Sequence, residues 1–182
     1  MRSFLSFTLL TASILLVSHS ALADDKNDEG LTDQQFGRLL TMFLEDPLQE
    51  KGKEVAKLLV FYTMETPKAA VMLGKPEMTW IGKKEDDRSL LLFAAYVSGN
   101  TRSQLLSGVK QNDRYSGLVT LFAVYQRLQD KDKKFKIAEV EELRQRHADG
   151  KLMAHLVEME KKMPTKLTPE DEKALKDLLK KK

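Results

Sequence analysis

The sequence predicts an all-α fold, a compact bundle or short stack of helical hairpins with about seven to eight helices after a cleaved signal peptide. Three observations carry that reading. Apolar residues recur at helical spacing through most of the chain; proline follows a capping residue, and glycine follows the last apolar residue, at several candidate helix ends; and no segment alternates apolar and polar residues between hairpin-turn signals.

Met1 and Arg2 give a short positive start, Phe4 to Val17 is an almost unbroken apolar run, and Ala21-Leu22-Ala23 is a small-x-small cleavage site. Residues 1–23 therefore read as a signal peptide cut after Ala23, because an apolar run of about 14 residues falls short of the roughly 20 needed to span a bilayer. Residues 24–30 form an acidic, charged linker expected to be disordered, and 31–182 a single all-helical domain. The implied location is periplasmic or secreted, in a bacterium.

The first helix is announced by Thr32 as cap, Gln35 closing a capping box, and a Leu31–Phe36 staple. An apolar stripe follows through Phe36, Leu39, Leu40, Phe43 and Leu44. Asp46-Pro47 opens a second helix over about Leu48 to Glu65, apolar nearly all round and hence central. Thr66-Pro67 repeats the signal for a short helix through Leu73, stopped by Gly74. Residues 75–86, with Pro76, Trp80 and Gly82, read as a loop. Leu90 to Val97 is a buried helix that Gly99-Asn100 closes, Asn100 capping the next helix near Thr101 to Lys110. Further helices are expected near Arg114 to Gln129, Ile137 to Ala148, Lys151 to Lys162 and Pro169 to Lys180.

Leu92-Phe93-Ala94-Ala95-Tyr96 recurs 29 residues later as Leu121-Phe122-Ala123-Val124-Tyr125, with a fainter copy at Val60-Phe61, so three stacked hairpins are one reading of the middle of the chain. The period wavers, and coincidence among apolar helices is the other reading. Leu31-Thr32-Asp33-Gln34-Gln35 resembles the Leu-Thr-x-x-Gln motif of periplasmic chaperones of the Spy/CpxP type, and Leu167-Thr168-Pro169-Glu170-Asp171 nearly does. The resemblance covers about ten residues, largely a helix cap. The chain between departs from that pattern, so no family is assigned and only a periplasmic helical binder is implied.

The chain has no cysteine, which excludes disulfides, thiolate catalysis and thiolate metal sites. Residues 24–87 carry 9 basic and 14 acidic side chains and residues 88–182 carry 20 and 13, an acidic front and a basic back. Lys180, Lys181 and Lys182 end that basic half as a candidate contact for anionic lipid or lipopolysaccharide. Nucleic acid is not expected as a partner, since no aromatic residues interleave with the lysines.

No nucleophile elbow, phosphate loop or zinc motif is present, so no catalytic residue, cofactor or metal is assigned. His155 with Glu158 is the best metal pair and supplies too few ligands; Glu139, Glu141 and Glu142 lie beside Arg144 and Arg146 and read as a solvated face. The candidate binding residues are Trp80, Tyr96, Asn100, Gln104, Asp113 and Tyr115, because aromatic faces and amides gathered at helix ends are the usual lining of a groove. The expected function is that of an exported, non-catalytic helical protein binding a protein or envelope component, or assisting in the cell envelope. The rivals are a peripheral binder of anionic surfaces through the lysine-rich half and a carboxylate-based enzyme near Trp80 and Tyr96.

Overall fold

A computed structural model describes residues 30–73, 78, 80–81 and 87–162. The expected leader at 1–23, most of the expected 24–30 linker, the helix expected over Pro169 to Lys180 and the lysines 180–182 lie outside the described residues. Among the described residues there are six helices and no strands: α1 (Asp33–Glu45), α2 (Gly52–Glu65), α3 (Asp87–Ser107), α4 (Arg114–Lys131), α5 (Ala138–Ala148) and α6 (Leu152–Lys162). No helix among them is long and apolar enough to cross a membrane.

The capping box of α1 forms as read: Gln35 N donates to Thr32 Oγ1 at 3.2 Å and Thr32 N to Gln35 Oε1 at 2.8 Å. Helix α2 starts four residues later than expected. Asp46 spends its carboxylate on Leu48 N (3.1 Å), which makes a turn of 47–51. Gly52 then passes so close to the Pro47 carbonyl that a Cβ there would collide with it.

Two further expectations are corrected. No helix forms over 66–73; the segment makes a turn at 67–68 and then runs without regular structure, because Gln104 and Asn112, distant in sequence, bond its backbone at Ala70 and Met72. Nor does Gly99-Asn100 end a helix. Helix α3 runs through both, with every residue from Leu91 to Asn100 buried. Gly99 is a close-approach residue instead, since a Cβ there would meet the Thr120 side chain and lie 2.8 Å from Ser116 O on α4. Gly117 answers it from the other side, 2.9 Å from Tyr96 O by the same measure. Two glycines thus let the α3 and α4 backbones touch.

By contrast, the break between α5 and α6 is where the sequence placed it. Gly150 takes φ 69°, and Lys151 N to Arg146 O (2.8 Å) with Gly150 N to His147 O (3.0 Å) makes a Schellman ending.

Pairings of side chains give the helix directions. Asp33 and Phe36 meet Tyr62, Ser103 meets Asp113 while Arg88 meets Asp132, and Gln129 meets Glu141 while Phe122 meets His147. The pairs α1–α2, α3–α4 and α4–α5 are therefore antiparallel. Lys53 pairs with Asp87 and Thr63 with Thr101, so α2 and α3 run parallel and the chain must cross back between them over 66–86. Helix α3 is the middle of the molecule, flanked by α2 and α4. Phe93 and Phe122, at matching places in the two LFA segments, are both buried, whereas Phe61 of the fainter copy is exposed.

Candidate functional site

The lower half of α3 carries amides where a purely apolar helix would carry leucines. Gln104 reads the backbone of Ala70 from both sides: its Oε1 accepts from Ala70 N at 2.8 Å and its Nε2 donates to Ala70 O at 3.1 Å and to Asn100 Oδ1 at 2.6 Å. Asn100 Oδ1 also accepts from Asp113 N (2.9 Å), and Asn100 Nδ2 donates to Asn112 Oδ1 (2.7 Å), which accepts from Met72 N as well (2.9 Å). Three stretches of chain meet through side-chain amides: the non-helical 66–73 segment, α3 and the 109–113 connection. A buried network that satisfies its members fixes one arrangement, since each broken bond would strand a polar group away from water.

Asp113 caps α4 by accepting from Ser116 N at 3.0 Å, and also accepts from Ser103 Oγ (2.6 Å) and Ser116 Oγ (2.7 Å). Burial pushes its carboxyl up, but the hydrogen bonds from Ser103 and Ser116 outweigh that and hold it below its ordinary value. An aspartate held ionised in this way fixes its donors and is unsuited to giving up a proton near neutrality. The Tyr96 hydroxyl is buried near Asn100 with no hydrogen bond of good geometry among the described residues, and burial pushes its pKa up.

Above this floor lies an open groove of about 390 Å³. Its floor is Ser103, Gln104 and Asp113, Arg114 and Tyr115 come from the first turn of α4, and α6 supplies Met153, Leu156, Val157 and Glu160 as one wall. Arg114 Nη1 donates to Leu156 O at 3.0 Å and so ties α6 to the start of α4. Burial pulls the guanidinium below its ordinary pKa and Glu160 opposes that. Tyr115 Oη stands 3.5 Å from His147 Nδ1, with the rings 5.7 Å apart. Helix α6 is apolar on two faces: Leu152 and Leu156 are buried in the core, while Met153 and Val157 are exposed.

Five of the six residues singled out in the sequence, Tyr96, Asn100, Gln104, Asp113 and Tyr115, come together here. Only Gln104, Asp113 and Tyr115 reach the groove; Asn100 and Tyr96 lie beneath it. Trp80 does not join them, being buried in the main core and absent from the groove lining. Lys180, Lys181 and Lys182 lie outside the described residues. Sequence reasoning missed the α6 wall, although its signal was present: Met153 and Val157 repeat at i, i+4 beside the Leu152–Leu156 pair, a second apolar stripe on one helix. Among the described residues no group of three or more acidic or histidine side chains could hold a metal ion.

No family model matches the chain, and no curated protein and no solved structure matches it.

Proposed function

We propose that the protein is exported by way of the leader at 1–23 and acts in the bacterial envelope without catalysis, binding a segment of a second protein or envelope component in the groove between α6 and the α3–α4 corner. In this reading the all-helical domain is completed by a seventh helix over 169–180. The observation that carries it is the second apolar face of α6: Met153 and Val157 stay exposed beside a floor that the amide network holds rigid. A preformed floor lowers the ordering cost of binding, and two apolar side chains at i, i+4 offer an anchor to a short apolar segment.

A photo-crosslinking residue at Val157, in cells expressing the protein, tests this against the same probe at the exposed Ala123 on α4. An adduct is expected from Val157 alone, falling about tenfold when Met153 is changed to lysine, as loss of one buried apolar anchor implies. Equal adducts from both positions would defeat the reading.

A second reading, contact with anionic lipid or lipopolysaccharide, is favoured by the run of exposed lysines at and beyond the end of α4, Lys131, Lys133, Lys134 and Lys136. Binding to anionic vesicles that survives high salt would count against it, because charge-held contacts are screened there. The carboxylate-enzyme reading is the weakest, since Asp113 is committed to capping and Trp80 stands outside the groove.

A further inference from the structure

Among the described residues, helix α2 has an unpartnered face of its own. Val55, Ala56, Leu59, Val60 and Tyr62 are buried, but Leu58, Phe61 and Met64 are 44%, 57% and 56% exposed. At about 100° per residue those three span roughly 120° of the helix, with Phe61 at the centre of the arc. Lys57 stands one turn before Phe61 and Glu65 one turn after it, both within the same arc.

We propose that this face pairs with the same face of a second copy of the chain, the two α2 helices lying antiparallel about a twofold axis at Phe61. An isologous contact requires a patch complementary to itself. This one is: the antiparallel register brings Phe61 against Phe61, Leu58 level with Met64 of the second copy, and Lys57 level with Glu65 of the second copy, twice over. A parallel pairing would instead set Lys57 beside Lys57 and Glu65 beside Glu65. A bilayer is the poorer occupant, because Glu54 and Glu65 outnumber Lys57 on the arc and an anionic leaflet repels them. A single helix crossing falls at the low end of interface sizes, below about 1,200 Å², so the dimer is a weak and reversible one.

Sedimentation equilibrium of the purified protein, from about 5 to about 500 µM to bracket micromolar to sub-millimolar dissociation, is expected to show a monomer–dimer equilibrium. Phe61→Asp should leave a folded monomer at every concentration, with unchanged helix content because the side chain is exposed. Lys57→Glu should weaken dimerisation about tenfold by turning two attractive pairs repulsive, and K57E combined with E65K should restore it to within about twofold. The chain has no cysteine, so Phe61→Cys puts its one thiol on the axis. Disulfide formation should run at least about tenfold faster than for Gln145→Cys, an exposed position on α5, since bridging needs Cβ atoms about 4 Å apart. A monomer throughout, a dimer indifferent to Phe61→Asp, equal cross-linking at 61 and 145, or failure of the charge swap to restore association would each overturn the proposal.

Discussion

Replacing Gly99 with alanine should destabilise the protein although alanine is the better helix former. The added methyl would meet the Thr120 side chain and come within 2.8 Å of Ser116 O. Ser116 O is backbone and cannot step aside alone. Thr120 Oγ1 donates to that same carbonyl at 2.8 Å, so turning the threonine away gives up a hydrogen bond worth about 1 kcal/mol. Overpacking at such a site costs about 1–3 kcal/mol, and with the lost hydrogen bond the penalty is about 2–4 kcal/mol. Helix propensity returns about 1 kcal/mol, leaving a net loss of about 1–3 kcal/mol out of roughly 5–15 for a domain of this size. Gly37 is the internal control: it lies within α1 and a Cβ there meets nothing within 4 Å, so Gly37→Ala should stabilise by about 0.5–1 kcal/mol. Urea denaturation of both variants measures the two signs, provided the slope is unchanged. Thr120→Gly removes the two nearest atoms and should show coupling of about 1 kcal/mol or more with Gly99→Ala in a double-mutant cycle. If Gly99→Ala proves as stable as the parent, the contact between α3 and α4 is not as close as argued.

Phe93→Ala and Phe122→Ala should each cost about 3–5 kcal/mol in thermal or urea melts, both rings being buried between neighbouring helices. Gln104→Ala should cost about 2 kcal/mol or more, because it strands the Ala70 amide and carbonyl, and amide exchange at Ala70 should accelerate most. Asp33 and Tyr62 make stability depend on pH at both extremes. Lys68, then Tyr62, hold the Asp33 carboxyl below 3.8, so its contribution is complete above that value and is lost as pH falls through the lowered pKa. Tyr62 is pushed up to about 12, by burial first and Asp33 second, so its contribution is complete below 10.0 and is lost as pH rises through about 12. Asp33→Asn should flatten the acid limb of a Tm–pH curve and bring the ultraviolet titration of Tyr62 part of the way back toward 10.0.

The parts of this fold that depend on neighbours in sequence were legible from the residues. The capping box at Thr32 and Gln35 and the stop at Gly150 are complete within five or six residues, and both formed where expected. The parts that failed depend on distant partners. A glycine followed by asparagine after eight apolar residues has the composition of a helix end, and only the approach of Thr120 and Ser116 shows why Gly99 sits inside one. Thr66-Pro67 has the composition of a helix start, yet bonds from Gln104 and Asn112, 34 and 40 residues away from Ala70 and Met72, hold the segment out of a helix. The gathering of Asn100, Gln104, Asp113 and Tyr115 followed from amides and aromatic residues near one boundary that formed, at Asp113, and one that did not, at Gly99-Asn100. The groove wall went unread because Met153 and Val157 are ordinary apolar residues until the neighbouring face of α6 is known to be filled.

The parallel run of α2 and α3 bears on how the chain is made. Synthesis delivers α1 and α2 first, and those two can close on each other at once through a short turn. Helix α2 cannot be covered by α3 until the whole 66–86 crossover and then α3 itself have been made. For that interval the nascent chain shows water the apolar side destined for α3 as well as the strip centred on Phe61. Such a half-made chain is adhesive, and adhesive intermediates are where aggregation begins. A truncated product ending near residue 73 should therefore precipitate or be held by a chaperone, while in the finished protein α3 covers one of those two apolar sides.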